Sequence, residues 1–88
     1  MPFWVYVLRS LKDGKLYTGQ TQDIEKRLRR HNSGLVPATK NRRPLVLVHE
    51  ESFKTRSEAR GREAYLKTGK GREELRELVQ KSYPKVGT

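Results

Sequence analysis

Asp13-Gly14 stands between two short runs that favour extended backbone, and this pairing limits the fold more tightly than any other feature of the chain. Phe3 to Leu8 is rich in aromatic and β-branched residues, the composition of a strand buried on both faces. Leu16 to Gln20 supplies the returning strand. Asp-Gly suits a type I′ hairpin turn, because that turn needs positive φ at both central residues. A two-residue turn at Asp13-Gly14 pairs Lys12 with Lys15 and gives every opposed pair opposite parity, so Tyr6 and Tyr17 share one face. A four-residue loop keeps the parity and brings the two tyrosines closer.

A basic helix follows. Asp23 is an N-cap and Asn32 to Gly34 a stop, which predicts a helix from Ile24 to about Ser33. At 100° per residue, Ile24, Arg27, Leu28 and His31 fall within one arc of about 100°, and Glu25, Lys26, Arg29 and Arg30 lie outside it. Lys26, Arg29 and Arg30 read as a solvated face. Arg27 sits at the edge of the buried stripe, which points to a specific role, and His31 lies one turn further on.

Leu35 to Pro44 carries two prolines and the basic residues Lys40, Arg42 and Arg43, which predicts an exposed loop able to follow a phosphate backbone. Leu45 to Phe53 reads as a third strand with a partly exposed far half. His49, Glu50 and Glu51 make a poor metal site, since adjacent strand residues point to opposite faces. Thr55 and Glu58 form a capping-box pattern at the start of a second helix. On that helix Ala59, Glu63 and Leu66 follow i, i+4, i+7, so a carboxylate interrupts the apolar stripe. An unpaired buried carboxylate is costly, so Glu63 either pairs with a cation such as Arg27 or Lys67 or ligates a metal. Gly69-Lys70-Gly71 is expected to end this helix, and Arg72 to Lys81 to form a third, with Leu75, Leu78 and Val79 packed on the sheet.

The resulting order is β-β-α-β-α-α: an α+β fold with a small three-stranded antiparallel sheet flanked by three helices. Residues 1–82 are expected to form a single domain and 83–88 a flexible tail. A chain of 88 residues has little room for an internal cofactor cavity, so its site should be a surface groove. Twenty Lys and Arg against ten Asp and Glu leave a formal charge of +10, and phosphate backbones are the commonest counterpart of such an excess. With no cysteine, disulfide scaffolds and thiolate zinc sites are excluded. No run approaches 18 apolar residues and no targeting segment precedes Phe3, so the expected location is cytoplasmic, with no membrane partner.

Trp4-Val5-Tyr6, Tyr17-Thr18-Gly19, Arg27 and His31 on one helix and Glu63 on a later one resemble, in that order, the GIY-YIG endonuclease superfamily and its small single-domain members. The likeness runs from about Phe3 to Leu78. It implies the fold just described and a divalent-metal-dependent DNA endonuclease. Carried over residue by residue, Glu63 would hold one Mg²⁺ or Mn²⁺, Arg27 would stabilise the scissile phosphate, and Tyr6 and Tyr17 would orient or deprotonate the attacking water. His31 would hold a tyrosine or touch phosphate. Gln20, Arg30, Lys40, Arg42, Arg43, Lys67, Lys70 and Arg72 are the residues expected to contact nucleic acid. Trp4 and Thr18 depart from the family triplets, and no asparagine follows Asn41, where many members carry one after the glutamate helix. The expected substrate is branched, nicked or distorted DNA in repair or recombination, chosen by DNA shape or by a protein partner. Two rivals remain: a non-catalytic nucleic-acid-binding module with the same fold, and a protein-interaction adaptor using the third helix.

Overall fold

The hairpin forms with a wider loop than a type I′ turn. In the computed structural model, which describes residues 2–82, β1 (Phe3–Ser10) pairs antiparallel with β2 (Leu16–Thr21), and Tyr6 faces Gly19. Ser10 donates its backbone N–H to the Lys15 carbonyl at 2.9 Å, leaving a four-residue loop from Leu11 to Gly14. Only Gly14 of that loop has positive φ, at 74°. Ser10 explains the wider loop. Its buried hydroxyl accepts the N–H groups of Lys12 and Asp13, each at 3.1 Å, while Asp13 Oδ1 accepts the Lys15 N–H at 2.9 Å. The parity is unchanged, so Tyr6 and Tyr17 share a face.

β3 (Leu45–Phe53) pairs antiparallel with the other edge of β1, giving the sheet order β2-β1-β3. The central strand is buried on both faces, as its composition requires. Tyr6 and Leu8 pack with Leu45 against α1 (Ile24–Asn32), while Val5, Val7 and Val48 pack with the helices of the other layer. A bulge moves the register from Val7↔His49 to Leu8↔Leu47 and skips Val48. It reverses the alternation along β3, so Leu45 and Leu47 face the α1 layer, whereas His49, Glu51 and Phe53 face the other.

Helix caps are those the sequence predicts. Asp23 accepts the Lys26 N–H at 3.0 Å at the start of α1, and Thr55 with Glu58 forms a complete capping box on α2 (Arg56–Leu66). Gly69-Lys70-Gly71 does not terminate α2, however. Lys67 caps it, and the glycines form the first turn of α3 (Gly69–Ser82), with the Gly71 N–H donated to the Thr68 hydroxyl at 3.0 Å. Gly71 serves close packing instead: a Cβ there would sit 1.9 Å from the Tyr65 carbonyl oxygen. Leu66, Leu75 and Val79 are buried where the two helices meet the sheet.

The segment Leu35–Pro44 is only partly the exposed loop expected. Val36 and Thr39 are buried, and Lys40–Arg42 forms one turn of 3-10 helix. Lys40 and Arg43 are exposed, whereas Arg42 is partly buried, with Nε toward Asp13 and a terminal nitrogen donating to the Leu16 carbonyl at 3.4 Å. The expected tail, 83–88, lies outside the described residues, among which no helix is long and apolar enough to cross a membrane.

Candidate active site

Two neighbouring strands and one helix place four of the expected site residues together. Tyr6 projects from β1 over Gly19 of β2, and a Cβ at Gly19 would come within 2.5 Å of the Tyr6 hydroxyl. The glycine of the second triplet is therefore the gap into which the tyrosine of the first is laid. Tyr17, two residues earlier on β2, has its ring 6.4 Å from that of Tyr6. His31, fully buried on the inner face of α1, meets both rings edge-on, at 5.7 Å and 5.0 Å.

A chain of hydrogen bonds runs through the cluster. Arg27 Nε donates to the Tyr6 hydroxyl at 3.3 Å, that hydroxyl lies 2.9 Å from His31 Nε2, and His31 Nδ1 lies 2.7 Å from Thr39 Oγ1. Burial and then the neighbouring Arg27 charge pull the His31 pKa down to about 4, so the ring is neutral at pH 7 and carries one N–H. Thr39 is itself buried, and His31 is its side chain's partner among the described residues. Donation from Thr39 to Nδ1 satisfies both groups and leaves the proton on Nε2, directed at the Tyr6 oxygen; the other tautomer strands the threonine proton. The Tyr6 oxygen then accepts from two N–H groups, which leaves its own proton engaged by neither partner.

Burial raises the Tyr6 phenol above its ordinary pKa, although the Arg27 hydrogen bond and charge pull the other way. Tyr6 is accordingly protonated at neutral pH. Tyr17 is half-buried, and among the described residues nothing hydrogen-bonds its hydroxyl. Arg27 has no acidic partner among them, and with Nε engaged its two terminal nitrogens remain open.

Glu63 approaches from the other layer, around the edge strand β2. Gln20, on the opposite face of β2 from Tyr17 and Gly19, donates to Glu63 Oε1 at 3.0 Å, and Lys67 donates to Oε2 at 2.9 Å. Of the two cations open to it from the sequence, Lys67 is the partner. The Glu63 charge still reaches the Tyr6 phenol, where it opposes ionisation. Among the described residues no group of three or more His, Cys, Asp or Glu gathers as a metal cluster. One part-exposed carboxylate nonetheless suits Mg²⁺ or Mn²⁺, which take few protein ligands and complete their shells with water and substrate oxygens. The Lys67 side chain is about half exposed, so its ammonium can withdraw from such an ion.

Of the remaining residues expected at nucleic acid, Gln20 and Lys67 flank Glu63. Arg42 lies at the hairpin base, 3.3 Å from Asp13. Arg30, Lys40, Arg43, Lys70 and Arg72 are exposed, and Arg43 donates to the Lys40 carbonyl. Thr39 is the site residue that sequence reasoning missed. It lies in a segment with no periodicity, and its contact with His31 leaves no pattern to read. His49 and Glu51, brought to one face by their two-residue spacing, bond at 2.8 Å. Arg62 grips Glu51 through two nitrogens and reaches Glu74 at 2.7 Å, a network that ties β3 to α2 and α3.

The family model described as the GIY-YIG catalytic domain matches residues 2–76. A UPF0213 protein of Staphylococcus saprophyticus is 50% identical over 66 residues, covering 74% of this chain and 79% of its own. One of Clostridium perfringens is 40% identical over 80 residues, covering 90% and 85%. The solution NMR structure of a UPF0213 protein from Bacillus halodurans aligns with a TM-score of 0.59 at 33% identity, covering 100% of this chain and 99% of that one. The match spans both tyrosine triplets, the Arg27 helix and Glu63, and on it the chain belongs to the GIY-YIG nuclease family.

Proposed function

We propose that this protein is a divalent-metal-dependent endonuclease that hydrolyses phosphodiester bonds in branched, nicked or otherwise distorted DNA, in repair or recombination. The observation that carries the reading is the convergence of Tyr6, Tyr17, Arg27 and His31 in one hydrogen-bonded and ring-packed cluster, with Glu63 across β2 near enough for its charge to act on the Tyr6 phenol.

Each side chain has a task its geometry supports. Arg27, held by Tyr6 through Nε, presents its terminal nitrogens as a fork to phosphoryl oxygens that gain charge in the transition state. Tyr6 fixes that guanidinium and directs a proton toward the reacting group. Neutral His31 holds the Tyr6 oxygen in place, and Thr39 holds the His31 tautomer. Tyr17, with its hydroxyl unengaged, orients the attacking water. Glu63 holds the Mg²⁺ or Mn²⁺, which supplies Lewis-acid polarisation of phosphate and a more acidic water. DNA shape or a protein partner supplies target choice.

Cleavage of a labelled panel of single-stranded, duplex, flap and four-way-junction DNA, with Mg²⁺, Mn²⁺ or EDTA, tests the reading. Cutting is expected with metal only, and Glu63→Ala should abolish it while leaving the fold intact. Cutting that survives both EDTA and Glu63→Ala would overturn the metal assignment. The Lys67 ion pair on Glu63 and the missing asparagine favour a second reading, a binding module without chemistry. Salt-sensitive DNA binding with no cleavage under any metal selects it.

Tyr6→Phe and Tyr17→Phe separate the two tyrosines. Both should fold, since each keeps its ring. Tyr6→Phe is expected to slow cleavage by about a hundredfold, because it releases Arg27 and removes a proton donor together. Near-normal rates in both variants would remove the tyrosines from the mechanism.

A further inference from the structure

Between the β1–β2 hairpin and the α2–α3 pair lies an open groove of about 730 Å³. Its rim carries Arg9, Lys15, Arg42, Lys67, Arg72 and Arg76, and none of the described residues lining it is acidic. Buried Leu66, Leu75 and Val79 contribute an apolar floor. Arg42 and Lys67 are compensated by Asp13 and Glu63. The other four, Arg9, Lys15, Arg72 and Arg76, make no ion pair among the described residues. Arg62, outside the groove, is by contrast held between Glu51 and Glu74.

Four unpaired like charges facing one concavity repel one another, and a polyanion placed between them would relieve that repulsion. Arg72 and Arg76 lie one helical turn apart, about 6 Å along α3, and both line the groove. The groove also continues the candidate active site. Tyr17 and Lys67 line it; Tyr17 belongs to the cluster through the rings of Tyr6 and His31, and Lys67 pairs with Glu63.

We propose that this groove is a binding track for the phosphodiester backbone of a nucleic-acid strand, entering at Tyr17 beside the scissile bond and passing along the Arg72–Arg76 face of α3. The proposal rests on the nuclease reading for its direction. It adds Arg9, Lys15 and Arg76 as contact residues and puts the main phosphate contacts on α3 rather than on the Lys40–Arg43 segment. Phosphates meet the rim cations, and the apolar floor lies under the sugars between them.

The test compares two double variants of equal charge: Arg72→Gln with Arg76→Gln in the groove, and Lys26→Gln with Arg29→Gln on the outer face of α1. Binding of labelled DNA and RNA oligonucleotides of one sequence is followed by fluorescence anisotropy from about 50 to 200 mM salt, in EDTA so that nothing is cut. The groove variant is expected to flatten the slope of log affinity against log salt by about 1.4 to 1.8, the counterion release of two phosphate contacts, and the α1 variant by less than half of that. An unchanged slope in the groove variant, or equal losses in both variants, overturns the track. Wild-type protein that binds neither oligonucleotide overturns both the track and the nuclease reading. Wild-type protein that binds in the groove yet never cuts with metal leaves the track standing and sinks the nuclease alone. The DNA and RNA arms identify which backbone it prefers.

Discussion

Arg27→Lys should fold normally and lose phosphodiester cleavage by about two to three orders of magnitude. The arginine has two jobs that a lysine cannot perform together. Its Nε holds the Tyr6 hydroxyl at 3.3 Å, and its terminal nitrogens remain for a bidentate grip on phosphate. An ammonium is a point charge with no fixed fork, so a lysine that satisfies Tyr6 leaves the phosphate poorly held, and the reverse. Stability should change little, because the residue is half-exposed on α1 and has no acidic partner to orphan among the described residues. Single-turnover cleavage with saturating enzyme isolates the chemical step, and circular dichroism reports the fold. Cleavage within about threefold of wild type would reduce Arg27 to a packing residue.

Gly71→Ala should be the most destabilising single-methyl change described for the helical layer. The added Cβ would stand 1.9 Å from the Tyr65 carbonyl oxygen and 2.7 Å from the Leu66 Cα, and both are backbone atoms that no rotamer change can move. Relief requires α3 to shift away from α2, which opens the packing of Leu66, Leu75 and Val79. A cost of about 3 kcal/mol is expected, or a fall in Tm on the order of 10–20 °C for a domain of this size. Gly61→Ala is the counterpart. Nothing lies within 4 Å of a Cβ at that exposed position of α2, so replacing a poor helix former with a good one should raise stability by up to about 1 kcal/mol. Equal behaviour of the two variants in thermal melts would show that Gly71 does not hold the helices in contact.

The two glycines show why part of the fold was legible in the sequence and part was not. Periodicity records which face of an element is buried. The parity of the hairpin accordingly put Tyr6 and Tyr17 together, and the 100° step of α1 put Arg27 and His31 on the inner stripe. Caps are local chemistry and were equally readable at Asp23 and Thr55. Gly71 was ambiguous because a glycine that ends a helix and one that lets two helices touch look alike in sequence. The hairpin loop widened because a buried serine gathered its N–H groups, and the bulge at Val48 depends on how two strands fit; neither leaves a pattern. Glu63 stood out as a carboxylate in an apolar stripe. Its companions Gln20 and Lys67 come from strand β2 and the next helical turn, so the sequence offered Lys67 only as one of two choices.

The overlap of Tyr6 with the space above Gly19 joins the two triplets into one steric unit. The constraint runs from Tyr6 to Gly19: a side chain at Gly19 evicts the phenol, and the atoms such a side chain would meet are all those of Tyr6. Among relatives, the two positions should therefore change together, with the paired loss marking lineages in which the Arg27 anchor has also been released. A chain that kept Tyr6 opposite a larger residue would have to swing the phenol aside, away from Arg27 and His31. The signature is thus a steric contract between neighbouring strands as much as a set of chemical groups.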